Sequence, residues 1–254
     1  MLEAEIRKQR EKKDILLMTH IVLGYPSLEA SRQIAHHMVE AGVDLMELQI
    51  PFSEPIADGP VILHANQRAL AAGVTVDACF ELAKQLTQEL PIPFLFMSYY
   101  NIAWKRGLQR FARDTRAAGL QGAIIPDLPF EEGEPLLSAF EQEQIDPVFI
   151  FSPTTSDERM RAIAARARGF VYCVARKGVT GAQTEFTAVG EYLERCRRAT
   201  SLPLALGFGV KSAADVSGLK GKVDIAVVGS ETIRVVENSG VGAVPGFIRS
   251  LRAG

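Results

Sequence analysis

The sequence predicts an α/β fold: a single-domain (β/α)8, or TIM, barrel over residues 1–254, with an extra N-terminal helix and an extra helix between strands 2 and 3. Three observations carry this. Short apolar runs recur at 15–22, 43–50, 92–97, 122–125, 147–151, 170–175, 202–206 and 224–228. Each is too short for a buried helix and is bounded by Gly, Pro or polar residues, the pattern of strands buried on both faces of a parallel sheet. Longer amphipathic segments separate the runs, and strands alternating with helices at this count make a closed barrel. No composition shift, Ser/Gly linker or low-complexity run divides the chain.

The helices follow in order. Segment 2–13 reads as an extra helix closing the bottom of the barrel. Segment 28–41 puts Ala30, Ile34, Met38 and Ala41 on one face. The gap before the third strand is the longest and holds two helical patterns, 62–72 and 76–90, the second with Phe80, Ala83, Leu86 and Leu90 in register. Segments 108–118, 136–144, 157–167, 191–199 and 213–219 complete the set. Ser27, Thr75, Ser156 and Ser212 stand where N-caps belong. A doubly wound open sheet is disfavoured, because the first βα turn, Leu23-Gly-Tyr-Pro26, has no GxGxxG.

Composition excludes several classes. Lys plus Arg number 28 and Asp plus Glu 30, a net charge of −2. That balance argues against a nucleic-acid binder working by phosphate neutralisation, while leaving room for a local pocket for one small phosphate. Cys79, Cys173 and Cys196 are odd in number and widely spaced, which disfavours a disulfide framework and a zinc ribbon. The N-terminus is charged and lacks the apolar core of a secretory signal. The longest uncharged stretch, 90–104, contains two prolines and falls short of the about 20 apolar residues a membrane span needs. A cytoplasmic protein is expected.

In such a barrel the chemistry sits at the C-terminal ends of the strands. In the second strand, alternation puts Leu45, Glu47 and Gln49 on one face. If that face points inward, Glu47 enters an apolar barrel, where a raised pKa suits a proton carrier. If it points outward, Glu47 pairs with a surface Lys. The next segment, 51–60, has three prolines and a glycine and is a stiff loop. Its Asp58 is either a turn or cap residue or a second carboxylate above the barrel mouth. Glycine clusters follow the seventh strand, at Gly207-Phe208-Gly209, and the eighth, at Gly229-Ser230. Barrel phosphate sites are commonly built in these two loops, so a phosphate site is favoured over simple tight turns. The loop after the sixth strand, 176–183, offers Gly178 and Gly181 as hinges and Thr180 as a hydroxyl, or else has no role. His20 ends the first strand and could line the pocket, while His36, His37 and His64 lie on helices. No pair of histidines has metal-ligand spacing, and no metal site is expected.

The run Glu47-Leu-Gln-Ile-Pro-Phe-Ser-Glu-Pro-Ile-Ala-Asp-Gly-Pro60 closely resembles the signature of the tryptophan synthase alpha chain family. Pro126-Asp-Leu-Pro129, Arg176-Lys-Gly-Val-Thr-Gly181, Gly207-Phe-Gly209 and Val228-Gly-Ser230 fall in the same order along nearly the whole chain. The resemblance implies a barrel enzyme, a carbon–carbon lyase that splits indole-3-glycerol phosphate into indole and glyceraldehyde 3-phosphate in tryptophan biosynthesis. It implies catalytic carboxylates at Glu47 and Asp58 and a pocket tyrosine at Tyr172. It places phosphate contacts at Gly181, Phe208, Gly209, Gly229 and Ser230, and a lid residue at Thr180. It further implies no cofactor in this chain, and a beta-chain partner carrying pyridoxal phosphate in an alpha2-beta2 heterotetramer.

Four positions depart from the family pattern. Glu54 stands where Asp is usual, Gln49 where Gly is common, Tyr25 where Asp precedes the proline, and His20 where an apolar or aromatic residue lines the pocket. They bear on coupling to the partner and on the indole pocket rather than on the two carboxylates. A stand-alone lyase is the alternative reading. A non-catalytic regulatory barrel is a third, opposed by the presence of Glu47 and Asp58.

Overall fold

The computed structural model describes residues 2–174, 182–207 and 209–252, the side chains of 182–188 excepted. Eight strands form a closed parallel barrel: β1 (Leu16–Val22), β2 (Leu45–Gln49), β3 (Phe94–Met97), β4 (Gly122–Ile124), β5 (Asp146–Phe151), β6 (Val171–Val174), β7 (Leu204–Gly207) and β8 (Ile225–Val228). β8 returns to pair with β1 and closes the ring.

Helices wrap the outside. They are α1 (Leu2–Arg10), α2 (Leu28–Glu40), α3 (Pro60–Ala71), α4 (Val76–Glu89), α5 (Tyr100–Arg106), α6 (Leu108–Ala117), α7 (Glu134–Gln142), α8 (Asp157–Arg166), α9 (Ala182–Ala199), α10 (Ala213–Leu219), α11 (Ser230–Ser239) and α12 (Val244–Arg252). The four expected caps are present. Ser27, Thr75 and Ser156 side chains accept from backbone amides three residues on, and Ser212 forms a reciprocal capping box with Asp215. α3 starts on Pro60, whose missing amide hydrogen costs nothing in the first turn.

Alternation along the strands creates two apolar layers. One lies between sheet and helices. The other fills the barrel with Leu16, Met18, Leu45, Leu95, Ile124 and their inward neighbours. α1 plugs its lower end: Leu2 and Ile6 are fully buried against the interior, and the Leu2 amide donates to Asp146 Oδ2 at 2.9 Å.

Three differences from the sequence reading have physical causes. α9 begins at Ala182 rather than 191, its first residues lacking the apolar spacing of the remainder. α5 is seven residues long, too short to show a helical period. α12 has Val244, Ile248 and Leu251 buried, on a stripe that only becomes an interior face once α2 and α10 are packed beside it.

Candidate active site

The upper part of the barrel is built from the same inward positions, two residues further along each strand. His20 pairs in register with Glu47, just as Met18 pairs with Leu45. Both side chains are therefore inside the barrel, and both are buried. His20 Nδ1 and Glu47 Oε1 share a hydrogen bond of 3.0 Å. His20 Nε2 and Glu47 Oε2 are buried with no hydrogen-bond partner among the described residues. Burial alone would lower the His20 pKa. The charge and hydrogen bond of Glu47, with contributions from Asp58 and Gln49, outweigh it and raise the pKa above the usual histidine value.

Gln49 continues the same face of β2. Its Nε2 donates to Asp58 Oδ2 at 2.7 Å. Tyr99, just beyond β3, donates to the same oxygen at 3.1 Å and accepts from the Ala57 amide at 3.1 Å. Phe52 stacks on the Tyr99 ring, centroids 5.1 Å apart, and its amide donates to Asn66 Oδ1 of α3. The 51–60 loop is thus tied to the barrel by side chains at both ends. Burial raises the Asp58 pKa, and the His20 charge and the Gln49 and Tyr99 hydrogen bonds only partly offset this. Among the described residues neither carboxylate has the bland geometry that the sequence leaves open: Glu47 pairs with His20 rather than a Lys, and Gly59, not Asp58, is the N-cap of α3.

Across the mouth, Tyr172, Gly207, Gly209, Gly229 and Ser230 line a cavity of about 140 Å³, with Lys211 at its edge. Gly229 is the N-cap of α11, so the first amides of a ten-residue helix open onto this space. Gly209 has φ +52°, a conformation that favours glycine. Gly207 is required for a different reason: a Cβ there would lie 2.5 Å from the Tyr172 hydroxyl. Burial and the Glu47 and Asp58 charges push the Tyr172 phenol well above its usual pKa, keeping it neutral. Gly178, Thr180, Gly181 and Phe208 lie outside the described residues. No group of three His, Cys, Asp or Glu among the described residues is placed to hold a metal ion.

The sequence profile of the tryptophan synthase alpha chain family matches residues 6–245. This chain belongs to that family. The alpha chain from Desulforapulum autotrophicum is 62% identical over 252 residues, covering 99% of this chain and 100% of that one. The alpha chain from Desulfotalea psychrophila is 54% identical over 99% of each chain. A crystal structure of tryptophan synthase from M. tuberculosis superposes with a TM-score of 0.91 at 29% identity, over 99% of this chain and 98% of that one. The family membership makes this alpha chain a lyase of tryptophan biosynthesis.

Three side chains at this alpha chain's mouth gain roles that the sequence does not assign them. Tyr99 lies 41 residues from Asp58 in the chain. Lys211, from the loop after β7, lines the cavity with Gly207, Gly209 and Gly229. His20 reads in the sequence only as a pocket lining, and the strand register makes it the partner of Glu47. Tyr25 is an internal tie, its hydroxyl donating to Glu237 of α11 at 2.7 Å. No helix among the described residues is long and apolar enough to cross a membrane.

Proposed function

We propose that this lyase cleaves indole-3-glycerol phosphate between two carboxyl groups, Glu47 and Asp58, with the phosphate held at the loops after β7 and β8. Breaking the C3–C3′ bond needs a proton on indole C3, loss of the N1 proton and removal of the C3′ hydroxyl proton. Asp58 accepts the N1 proton while Glu47 gives one to C3. Glu47 then takes the C3′ hydroxyl proton as the bond breaks. Its electron pair returns to the ring, and Asp58 gives its proton back to N1. Every proton is accounted for within the substrate and these two groups.

The observation that carries this reading is the tether of Asp58 to Gln49, two residues beyond Glu47 on one face of β2. It supports a pair of carboxyl groups at one mouth, in different states: Glu47 beside an imidazole and Asp58 under two hydrogen-bond donors. Tyr172 shapes the pocket between carboxylates and phosphate. Backbone groups of Gly181, Phe208, Gly209, Gly229 and Ser230 hold the phosphate, Lys211 adds its charge, and Thr180 closes the lid toward Asp58. The chain itself needs no cofactor. It works in the cytoplasm in an alpha2-beta2 heterotetramer whose beta chain carries pyridoxal phosphate, and docking of that partner on the 51–60 loop aligns Asp58.

The test is indole release from indole-3-glycerol phosphate by the wild type, Glu47→Gln and Asp58→Asn, each with and without a beta chain. General acid–base groups contribute about 10²–10⁴-fold, so each variant falls at least that far. Retention of more than about a tenth of wild-type turnover by either variant removes that residue from its role. Adding a beta chain raises wild-type turnover more than about tenfold, the order expected when a misplaced group is brought into line. Full activity alone favours a stand-alone lyase.

A further inference from the structure

The His20–Glu47 contact is a buried acid–base pair that the two-carboxylate scheme does not use. Register puts the two residues opposite each other on β1 and β2, and Nδ1 meets Oε1 at 3.0 Å. The other atom of each group, Nε2 and Oε2, is buried and has no hydrogen-bond partner among the described residues. A buried polar atom without a protein partner is costly, and a catalytic role is one reason a fold retains it. We propose that His20 is the positioning and proton-sharing partner of Glu47: Nδ1 fixes Oε1 and leaves Oε2 as the oxygen that exchanges a proton with substrate, and the two side chains together hold that proton. This rests on Glu47 being the proton shuttle.

The bookkeeping is closed. A neutral imidazole beside protonated Glu47 and a cationic imidazole beside ionised Glu47 hold the same number of protons. The pair therefore shares one proton across the 3.0 Å hydrogen bond. When Oε2 gives its proton to C3, the carboxylate left behind keeps the Nδ1–H hydrogen bond on Oε1. The C3′ hydroxyl proton then returns to Oε2, and the imidazole ends as it began. The titratable groups facing the pair are Asp58 from the 51–60 loop and Tyr172 from β6. Tyr172 stays neutral, and the Asp58 charge favours the cationic imidazole. The Glu47 hydrogen bond and the Asp58 charge keep a proton on the imidazole to higher pH than an isolated histidine would.

Two substitutions separate positioning from proton storage. His20→Asn still donates to Oε1 but cannot hold the proton; His20→Phe does neither. His20→Asn keeps KM within about threefold of wild type while the alkaline limb of kcat moves to lower pH by about one unit. His20→Phe loses at least about tenfold in kcat across the pH range, since the carboxyl loses its anchor. NMR titration of the full chain gives a readout independent of turnover: the His20 Cε1–H resonance titrates above about pH 6.5, and Glu47→Gln lowers that midpoint. If His20→Phe does not fold, His20→Asn and the titration decide. Wild-type kcat and an unmoved alkaline limb in His20→Asn, with the His20 midpoint unchanged in Glu47→Gln, overturn the proposal. Should Glu47→Gln be nearly inactive in that case, the role of Glu47 stands without its partner; should it be fully active, the underlying reading falls first.

Discussion

The bottom and the mouth of this barrel are made from the same strands and the same alternation, yet they are opposite in chemistry. At the bottom the inward residues are Leu16, Leu45 and Ile225, and α1 seals them with Leu2 and Ile6. Further up the strands, the inward residues are His20, Glu47, Gln49 and Tyr172. Buried polar atoms without partners include His20 Nε2, Glu47 Oε2 and Gln49 Oε1, all at the mouth. The lower half is packed to be stable, and the upper half keeps desolvated groups that would be more stable in water. Stability and activity are therefore separable by height along the barrel axis.

Asp58→Asn should divide the two most sharply. The folded pKa of Asp58 is raised above its unfolded value of 3.8. Its contribution to stability is thus present below that value and is lost as pH rises through the folded pKa. At neutral pH the ionised group works against folding. Asn removes the charge and still accepts from Gln49 and Tyr99. Thermal melts at pH 7 should show a higher Tm for the variant, while indole release falls by about 10²–10⁴-fold. A lower Tm at pH 7 would contradict the division.

Leu2→Ala attacks the other half. Leu2 is fully buried in the barrel interior, and truncation of such a residue costs about 2–5 kcal/mol through lost burial and a cavity. Denaturant unfolding should report that loss, with kcat/KM of the folded protein within about twofold of wild type. A matching fall in kcat/KM would mean the plug reaches the mouth.

The proposed phosphate side offers a third comparison, because three glycines, Gly207, Gly209 and Gly229, line it. A Cβ on Gly209 would meet no atom within 4 Å, but the residue holds φ +52°. Gly209→Leu therefore meets strain of about 1–2 kcal/mol and puts bulk at the cavity edge. The Michaelis constant should rise more than about tenfold with kcat changing less. Sulfate or phosphate soaked into crystals of the wild type should bind between Gly209 and the start of α11.

Much of this was legible in the sequence, for reasons tied to particular residues. Strand positions followed from apolar runs, and alternation put Leu45, Glu47 and Gln49 on one face of β2; that this face is the inner one is seen only in the closed barrel. The stiff 51–60 loop announced itself by its prolines. Contacts between strands were not legible. His20 and Glu47 are 27 residues apart, and only the β1–β2 register brings them opposite each other. Tyr99 meets Asp58 because β3 ends beside the loop, and no spacing in the sequence encodes that. The sequence places Gly207 in a glycine cluster but does not show that its missing side chain also makes room for Tyr172.

Tyr99→Phe should give the smallest effect and sharpens the comparison most finely. The ring stack on Phe52 survives, so the apolar half of the contact is unchanged. Only the hydroxyl is lost, which donates to Asp58 Oδ2 and accepts from the Ala57 amide. A net hydrogen bond is worth about 0.5–1.5 kcal/mol, and the exposed Ala57 amide can turn to water, so Tm should change little. Asp58 fares differently. The Tyr99 hydrogen bond lowers its pKa, and removing it leaves burial less opposed, so the pKa rises further. In the proposed mechanism Asp58 must be ionised to accept the N1 proton, so activity should be lost as pH falls through that pKa. The acid limb of kcat/KM should shift to higher pH in Tyr99→Phe, with a loss of about tenfold or less on the plateau. An acid limb that stays in place while Tm falls would assign Tyr99 to packing alone.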